Sequence, residues 1–582
     1  MTSNYFKTTR PLGVLENIEK GIDEEGYRIQ ISRDRIEISA SSAKGFFYGK
    51  MTLEGIANKT TARALESGLK LLENEIVLAE GEINDYPSLK LRGVMLDISR
   101  TKVPTQKQLY EIVDLISSLK LNHLELYMEH TFAYVGHELV WENSDPLTVS
   151  ELAALDSYCK ERFVDLVCNQ NSFGHMERWL IHPKYRDLGI EKDLVVSPFG
   201  MLRPPTTIDP TNERSIQLIS DIMDQITDAI PSKMVNIGFD EPFELNSSRA
   251  FEWNDWLTKV TELSSFKDKD IIVWGDMLAG HKKLIEKLPD GVIVAEWGYE
   301  ANSPFGERDR FLVEHQVPFI NSPGTSSWLS IVGKTNNSLE NTREATRNAI
   351  DHGGLGILTT DWGDFGHLQW WPISLPGIVA AGAFGWTGMR GVESFQYSDL
   401  IEGLSSVIST DPMKDDLNAA SAICRIGEIH SMVPCQFPNL ATIVLHLYFP
   451  QLPVGFGLTT GLTTEHLDLI RNELGEIKDL VSKVVDPLMK EELSATCSLV
   501  ELIVDDASSR LLGNGHLASV SQPERDLFAD RCSDIISLHQ SIWKSRNRIG
   551  GLEESLAWLY NLQSGYISGQ PDKAWAGPLK LL

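Results

Sequence analysis

The chain has 582 residues, with 81 acidic side chains against 53 basic ones and a net charge of −28. That balance argues against nucleic acid, whose phosphates need a basic face, and against an anionic membrane surface. It fits a self-repelling soluble protein with room for more than one domain.

The N-terminal stretch MTSNYFKTTRPLGVLENIEK has no apolar core between a basic start and a cleavage site, so no Sec signal peptide is expected. No run approaches the ~18 uninterrupted apolar residues of a membrane helix. A cytoplasmic location is expected. Cys159, Cys168, Cys424, Cys435, Cys497 and Cys532 form no CxxC pair. They are expected to be reduced thiols, neither a disulfide framework nor a zinc site.

Residues 26–38, GYRIQISRDRIEI, alternate apolar and polar and predict two short strands around Ser32-Arg33-Asp34. SSAKGFFYGKMTLEGIANKT follows with helical spacing, and NEIVLAEGEI predicts one more strand. Together these make an α+β unit over residues 1–88.

The pattern then changes. LRGVMLDIS, NHLELYM, FVDLVCN, MVNIGFD, IIVWGD, VIVAEW, PFINS and LGILTTDW are each apolar on both faces, and helical segments separate them. Strands buried on both sides belong to parallel sheets. Eight such β/α units over residues 89–395 predict a (β/α)8 TIM barrel, an α/β fold. The competing open doubly wound sheet usually carries a Gly-rich phosphate turn after its first strand, and RGVMLDISRTK has none. Residues 396–582 lose strand character and show long helical periodicity. They predict an all-helical C-terminal domain that caps the barrel, closes the pocket or pairs two copies as a homodimer.

Catalytic residues of such barrels sit where strands end. Here those ends carry Asp97 to Arg100, Glu129-His130, His175, Asp240-Glu241, Trp274 with Asp276, Trp297 with Tyr299, Thr325 to Trp328, and Trp362 with Asp364. Acids and an arginine hydrogen-bond sugar hydroxyls, and tryptophan faces stack on sugar rings. Carboxylates in such a pocket point to glycosidic bond cleavage. Glu129, His130 and His175 form at best a weak metal set, and neither a metal nor a cofactor is expected. Asp276 reads equally well as the cap of the next helix. Trp370 and Trp371 read as packing residues.

RGVMLDISR, NHLELYMEH, SFGHM, IGFDEP and the strand-end tryptophans together resemble glycoside hydrolase family 20, the β-N-acetylhexosaminidases. The unit ending FFYGKMTLEGI resembles that family's accessory α+β domain. The resemblance implies an exo-acting, retaining enzyme acting on terminal β-linked GlcNAc or GalNAc, with the substrate's own 2-acetamido oxygen as nucleophile. By resemblance Glu241 is the acid/base and Asp240 the partner of the acetamido N–H. Arg100 and Asp364 would bind ring and distal hydroxyls, while Glu129 and His175 would support the catalytic network. Trp274, Trp297 and Trp362 would wall the pocket. The family's Tyr-x-Asp after the seventh strand is replaced by SPGTSSW, so Tyr299, Thr325 and Trp328 are alternatives for holding the acetamido oxygen. A catalytically idle sugar-binding barrel and a glycosidase of a neighbouring family are the competing expectations. Adjacent residues on a strand face opposite ways, so the chain must turn where Asp240 and Glu241 meet one sugar.

Overall fold

A computed structural model describes residues 5–67, 69–72, 74–197, 200–409, 416–575 and 577–579. Its centre is a closed barrel of eight parallel strands in chain order: β1 (Leu91–Asp97), β2 (His123–Met128), β3 (Asp165–Gln170), β4 (Met234–Asn236), β5 (Asp270–Trp274), β6 (Ile293–Trp297), β7 (Phe319–Ser322) and β8 (Gly356–Asp361). Closure comes from β8 pairing with β1, Gly356 opposite Leu91 through Asp361 opposite Leu96. Every residue of β1, β2, β7 and β8 is buried, as their continuous apolar character requires.

The outer helices form from amphipathic segments with local start signals. Gln106–Ser118 buries Leu109, Ile112, Val113 and Ile116, and the Thr105 side chain accepts from the Gln108 amide to cap it. Val149–Lys160 begins with a capping box between Thr148 and Glu151.

Two barrel elements differ from expectation. The predicted strand MVNIGFD ends at Asn236, because Gly238 and Phe239 take φ values of +76° and +73°. The helical segment expected between β5 and β6 is a short α-turn, Asp276–Gly280, followed by a 3-10 segment, Lys282–Lys287.

The N-terminal unit is a four-stranded sheet, ordered Val14–Ile18, Ile36–Ala40, Tyr27–Ile31, Gly81–Asp85, covered by helix Ala43–Glu66. A separate pair joins Tyr5–Thr9 to Glu75–Ala79. NEIVLAEGEI is therefore two strands in two sheets, and the strands over 5–9 and 14–18 carried too little alternation to be predicted. Arg92 docks this unit on the barrel through a two-point pair with Glu25, at 2.9 and 3.2 Å.

After helix Leu375–Thr387 the chain is helical among the described residues. Thr464–Ser482, Pro487–Leu512, Gln522–Arg546 and Leu552–Ser568 are its longest members. Their apolar core runs without a break into Trp370, Ile373 and Leu375 beside β8, so this domain is built onto the barrel. No described helix is long and apolar enough to cross a membrane. All six cysteines are free.

Candidate active site

Beyond β4 the chain turns sharply. Glycine is required at position 238: its φ is +76°, and a Cβ there would collide with the Asn171 side chain. Gly174, in SFGHM, has no space for a Cβ because the Asp240 carbonyl lies against it. Glu241 itself sits at φ +45°. This run of left-handed residues brings two sequence neighbours to one side of the barrel mouth. His175 Nε2 lies 3.3 Å from Asp240 Oδ2 and 3.4 Å from Glu241 Oε2.

The two acids are held differently. Asp240 is buried, and its Oδ1 has no hydrogen-bond partner. The Glu241 side chain is a third exposed, and its backbone amide donates to Asp276 Oδ2 at 3.0 Å. Burial opposes charge on His175, but Asp240 and Glu241 outweigh it and hold the imidazolium above its ordinary range.

Arg100 is the hub of the other side. Its guanidinium lies 3.4 Å from Asp97, 3.5 Å from Glu129 and 3.9 Å from Asp364. It also faces the rings of Tyr127 and Trp362, at 4.6 and 5.2 Å from their centroids. Glu129 accepts the Tyr127 hydroxyl at 3.0 Å, and burial pushes its carboxyl up to about 7 against the pull of Arg100. Burial likewise raises Asp364 to about 6, again opposed by Arg100.

Aromatic residues close the remaining arc. Trp297 stacks on Tyr299 at 5.3 Å, and Trp328 meets Tyr299 edge-on at 5.0 Å. Trp362 donates its indole N–H to the Tyr299 hydroxyl at 2.9 Å. Trp274 is wholly buried and packs against Trp362 at 6.0 Å, so it backs the pocket from within the barrel. Of the alternatives for an acetamido oxygen, Thr325 is committed elsewhere, since its hydroxyl donates to Asp361 at 2.6 Å. Trp370 is buried in the interface with the helical domain, and Trp371 packs partly buried there.

All the sequence-predicted site residues thus gather at one end of the barrel. Several functional neighbours were not among them. Asp276 takes no capping hydrogen bond; it accepts from the Glu241 amide and, at 3.4 Å, from Trp297 Nε1. Burial and then Asp240 push it up to about 7. Its place at a strand end was the signal, masked by the competing role at a helix start. Tyr127 faces inward two residues before Glu129, and strand alternation marks it. Glu177 and Arg203, paired at 2.6 Å, come from the long excursion after β3 and had no sequence signal.

Among the described residues, the group able to approach one metal ion is Glu129, His175 and Glu177, not the set including His130. His130 is buried nearby with Nδ1 unpartnered. Arg100 lies 3.3 Å from His175 Nδ1, and Arg203 holds Glu177, so two guanidinium groups already occupy the position of a counter-charge.

The family model described as "Glycosyl hydrolase family 20, catalytic domain" matches residues 89–354, and that described as "Glycosyl hydrolase family 20, domain 2" matches residues 6–86. Among curated relatives, the chain is 22% identical over 266 residues to the beta-hexosaminidase subunit beta of Entamoeba histolytica, covering 43% of this chain and 45% of that protein. It is 22% identical over 258 residues to beta-hexosaminidase A of Caenorhabditis elegans, covering 40% and 44%. The chain thus spans about half the length of the curated relatives it matches. Its fold is similar to that of a solved GH20 exo-β-N-acetylglucosaminidase from Vibrio harveyi, with a TM-score of 0.53 at 16% identity over 69% of this chain and 70% of that one. The N-acetyl-β-hexosaminidase of Streptomyces plicatus gives a TM-score of 0.52 at 16% identity, over 68% and 82%.

Proposed function

The chain belongs to glycosyl hydrolase family 20, and from that premise we propose that it is an exo-acting, retaining β-N-acetylhexosaminidase that uses the substrate's 2-acetamido group as nucleophile. The observation that carries this reading is the asymmetry of the adjacent acids. Asp240 has one oxygen on the His175 imidazolium and a second, buried oxygen with no partner. Such a carboxylate is a poor nucleophile and a good acceptor for an amide N–H. Glu241, at the open side, is placed for proton transfer to the leaving oxygen.

The acetamido carbonyl oxygen bonds to C1 while the C1–O bond to the aglycone breaks. The Glu241 carboxyl proton goes to the departing oxygen. Asp240 Oδ1 accepts the acetamido N–H, stabilising the positive oxazolinium ring. Tyr299, whose hydroxyl already accepts from Trp362, gives its own proton to the acetamido oxygen in a hydrogen bond. Burial raises the Tyr299 hydroxyl well above its usual value, which keeps it a donor. Water then attacks C1 from the aglycone side, the C1–O bond to the acetamido oxygen breaks to restore the neutral acetamido group, and the water's proton goes to Glu241. Two inversions give net retention.

The exo mode is supported at the far end of the pocket. Arg100 and Asp364 occupy it, and Trp558 of the helical domain stacks on Phe365 just behind, at 4.9 Å. The test is hydrolysis of an aryl N-acetyl-β-glucosaminide, with proton NMR of the first anomer released and a thiazoline mimic of the oxazolinium as inhibitor. Turnover that resists the thiazoline sinks the substrate-assisted mechanism. Binding of the sugar without turnover makes the chain an idle carbohydrate-binding protein.

A further inference from the structure

We propose that the turn Arg546–Gly551 of the helical domain is a positioning element for Arg100, so that this domain helps to set the glycone site. The inference rests on the proposed hexosaminidase reading, with Arg100 at the far end of the pocket binding the glycone's hydroxyls.

Arg100 leads directly into the loop of residues 101–105. Thr101 takes a φ of +77°, a conformation a β-branched residue adopts only under outside constraint. The constraint comes from the helical domain. The Thr105 amide donates to the Arg546 carbonyl at 2.9 Å, and the Arg548 amide donates to the Val103 carbonyl at 2.8 Å. Pro104 and Asn547 form an antiparallel bridge between the same two segments. Gly551, at φ +76°, lies so close to Thr101 that a Cβ there would overlap the Thr101 carbonyl group.

The turn is itself pinned to the barrel. Arg548 Nη1 donates to the Pro146 carbonyl at 2.9 Å, and Arg548 also pairs with Glu151. Arg178 and Glu554 form a two-point ion pair at 2.9 and 2.7 Å. On the inner side, Lys102 Nζ donates to the Gln369 carbonyl at 2.7 Å and faces the Trp543 ring at 5.4 Å. That contact ties the Arg100 loop to the loop bearing Trp362 and Asp364. Neither family model extends past residue 354, so the helical-domain half of this clamp lies outside the matched regions.

The experiment uses the full chain and compares Gly551→Ala with Gly569→Ala. Gly569 is the left-handed residue at the other end of helix Leu552–Ser568, and the nearest atoms to a methyl group there belong to the Arg525 guanidinium, the far end of a side chain. Both variants carry similar backbone strain, but only the first pushes on the Arg100 loop. Kinetics are measured on an aryl N-acetyl-β-glucosaminide and on its 3- and 4-deoxy analogues. For Gly551→Ala, KM on the parent substrate rises about tenfold, the order of one charge-assisted hydrogen bond, with kcat little changed. On the deoxy analogue that lacks the Arg100 contact the rise disappears. Gly569→Ala changes neither. Should Gly551→Ala fail to fold, Arg548→Gln loosens the turn without a clash and gives the same pattern at a few-fold. Equal losses on all substrates, or none, overturn the proposal. Amide exchange over residues 100–105 is read without substrate and rises in Gly551→Ala but not in Gly569→Ala. Unchanged exchange there overturns the positioning role even if the wild type hydrolyses no aryl glycoside, an outcome that would count against the proposed function alone.

Discussion

Burial raises the pKa of carboxyls both at the barrel rim and in the wall between the barrel and its outer helices. At the rim, burial pushes Glu129 and Asp276 up to about 7. In the wall, burial pushes Glu296 and Asp309 up to about 7 as well. The direction and cause are the same, so a raised pKa does not by itself separate a site from packing. The surroundings do. The rim acids converge with the Arg100 guanidinium and the His175 imidazolium, and Glu241 opens to solvent. The wall acids have Arg308 at 3.6 Å from Glu296 and the Asn321 amide at 2.8 Å from Asp309. Rim charge is adjustable by substrate; wall charge answers only to pH.

The sharpest way to break this comparison is to neutralise an acid at the rim. Glu241→Gln keeps the shape and removes the transferable proton, so kcat on an aryl glycoside falls by ~10²–10⁴. The circular dichroism spectrum and thermal midpoint stay close to wild type, since Glu241 is partly exposed and its backbone amide bond to Asp276 is retained. A loss of folding with the loss of rate would place this acid among the structural ones.

Next in size is Tyr299→Phe. It removes a donor aimed at charge that develops in the transition state, and kcat falls by ~10²–10³ with a smaller change in KM. Thr325→Ala, by contrast, disturbs only its bonds to Asp361 and Ser327 and leaves kcat within a few-fold. Steady-state kinetics on the two variants decide between the two hydroxyls. The reverse order would move the acetamido contact to the β7 loop.

How far the sequence carries is clear from these residues. The barrel was legible because parallel strands are buried on both faces and read as apolar runs, and the rim followed from where those runs stop. Asp240 and Glu241 were legible as two acids closing such a run. Alternation required a turn there but not its means, which are left-handed backbone at residues 238, 239 and 241 and the absence of a side chain at Gly174. Asp276 was visible but ambiguous, because an acid after a strand is equally a helix starter. Arg203 and Glu177 were illegible, since they meet across an irregular excursion whose path no periodicity encodes. The wall acids were hidden for another reason. Glu296 sits between inward-facing Ala295 and Trp297, and one polar residue in a strand does not show which layer it enters.

The smallest effect belongs to the wall and is one of stability. The folded-state carboxyls of Glu296 and Asp309 lie near 7, against ordinary values of 4.5 and 3.8. A raised carboxyl means that the fold prefers the neutral acid. Its stabilising contribution is therefore complete below the unfolded value near 4 and is lost as pH rises through about 7. At one kilocalorie or slightly more per pKa unit, the loss at Glu296 is roughly 3 kcal/mol. Glu296→Gln keeps the volume and the contact with Arg308 but cannot ionise, so this pH dependence vanishes. Thermal unfolding from pH 5 to 8.5 then shows wild type losing midpoint toward high pH and the variant losing less, with the curves closest at pH 5. Because Glu296 is paired with Arg308 and its charge is removed without loss of volume, kcat/KM at pH 6 stays within twofold. A parallel fall in wild type and variant would mean that Arg308 already holds Glu296 as a charged pair, and the two groups of acids would then differ in protonation as well as in exposure.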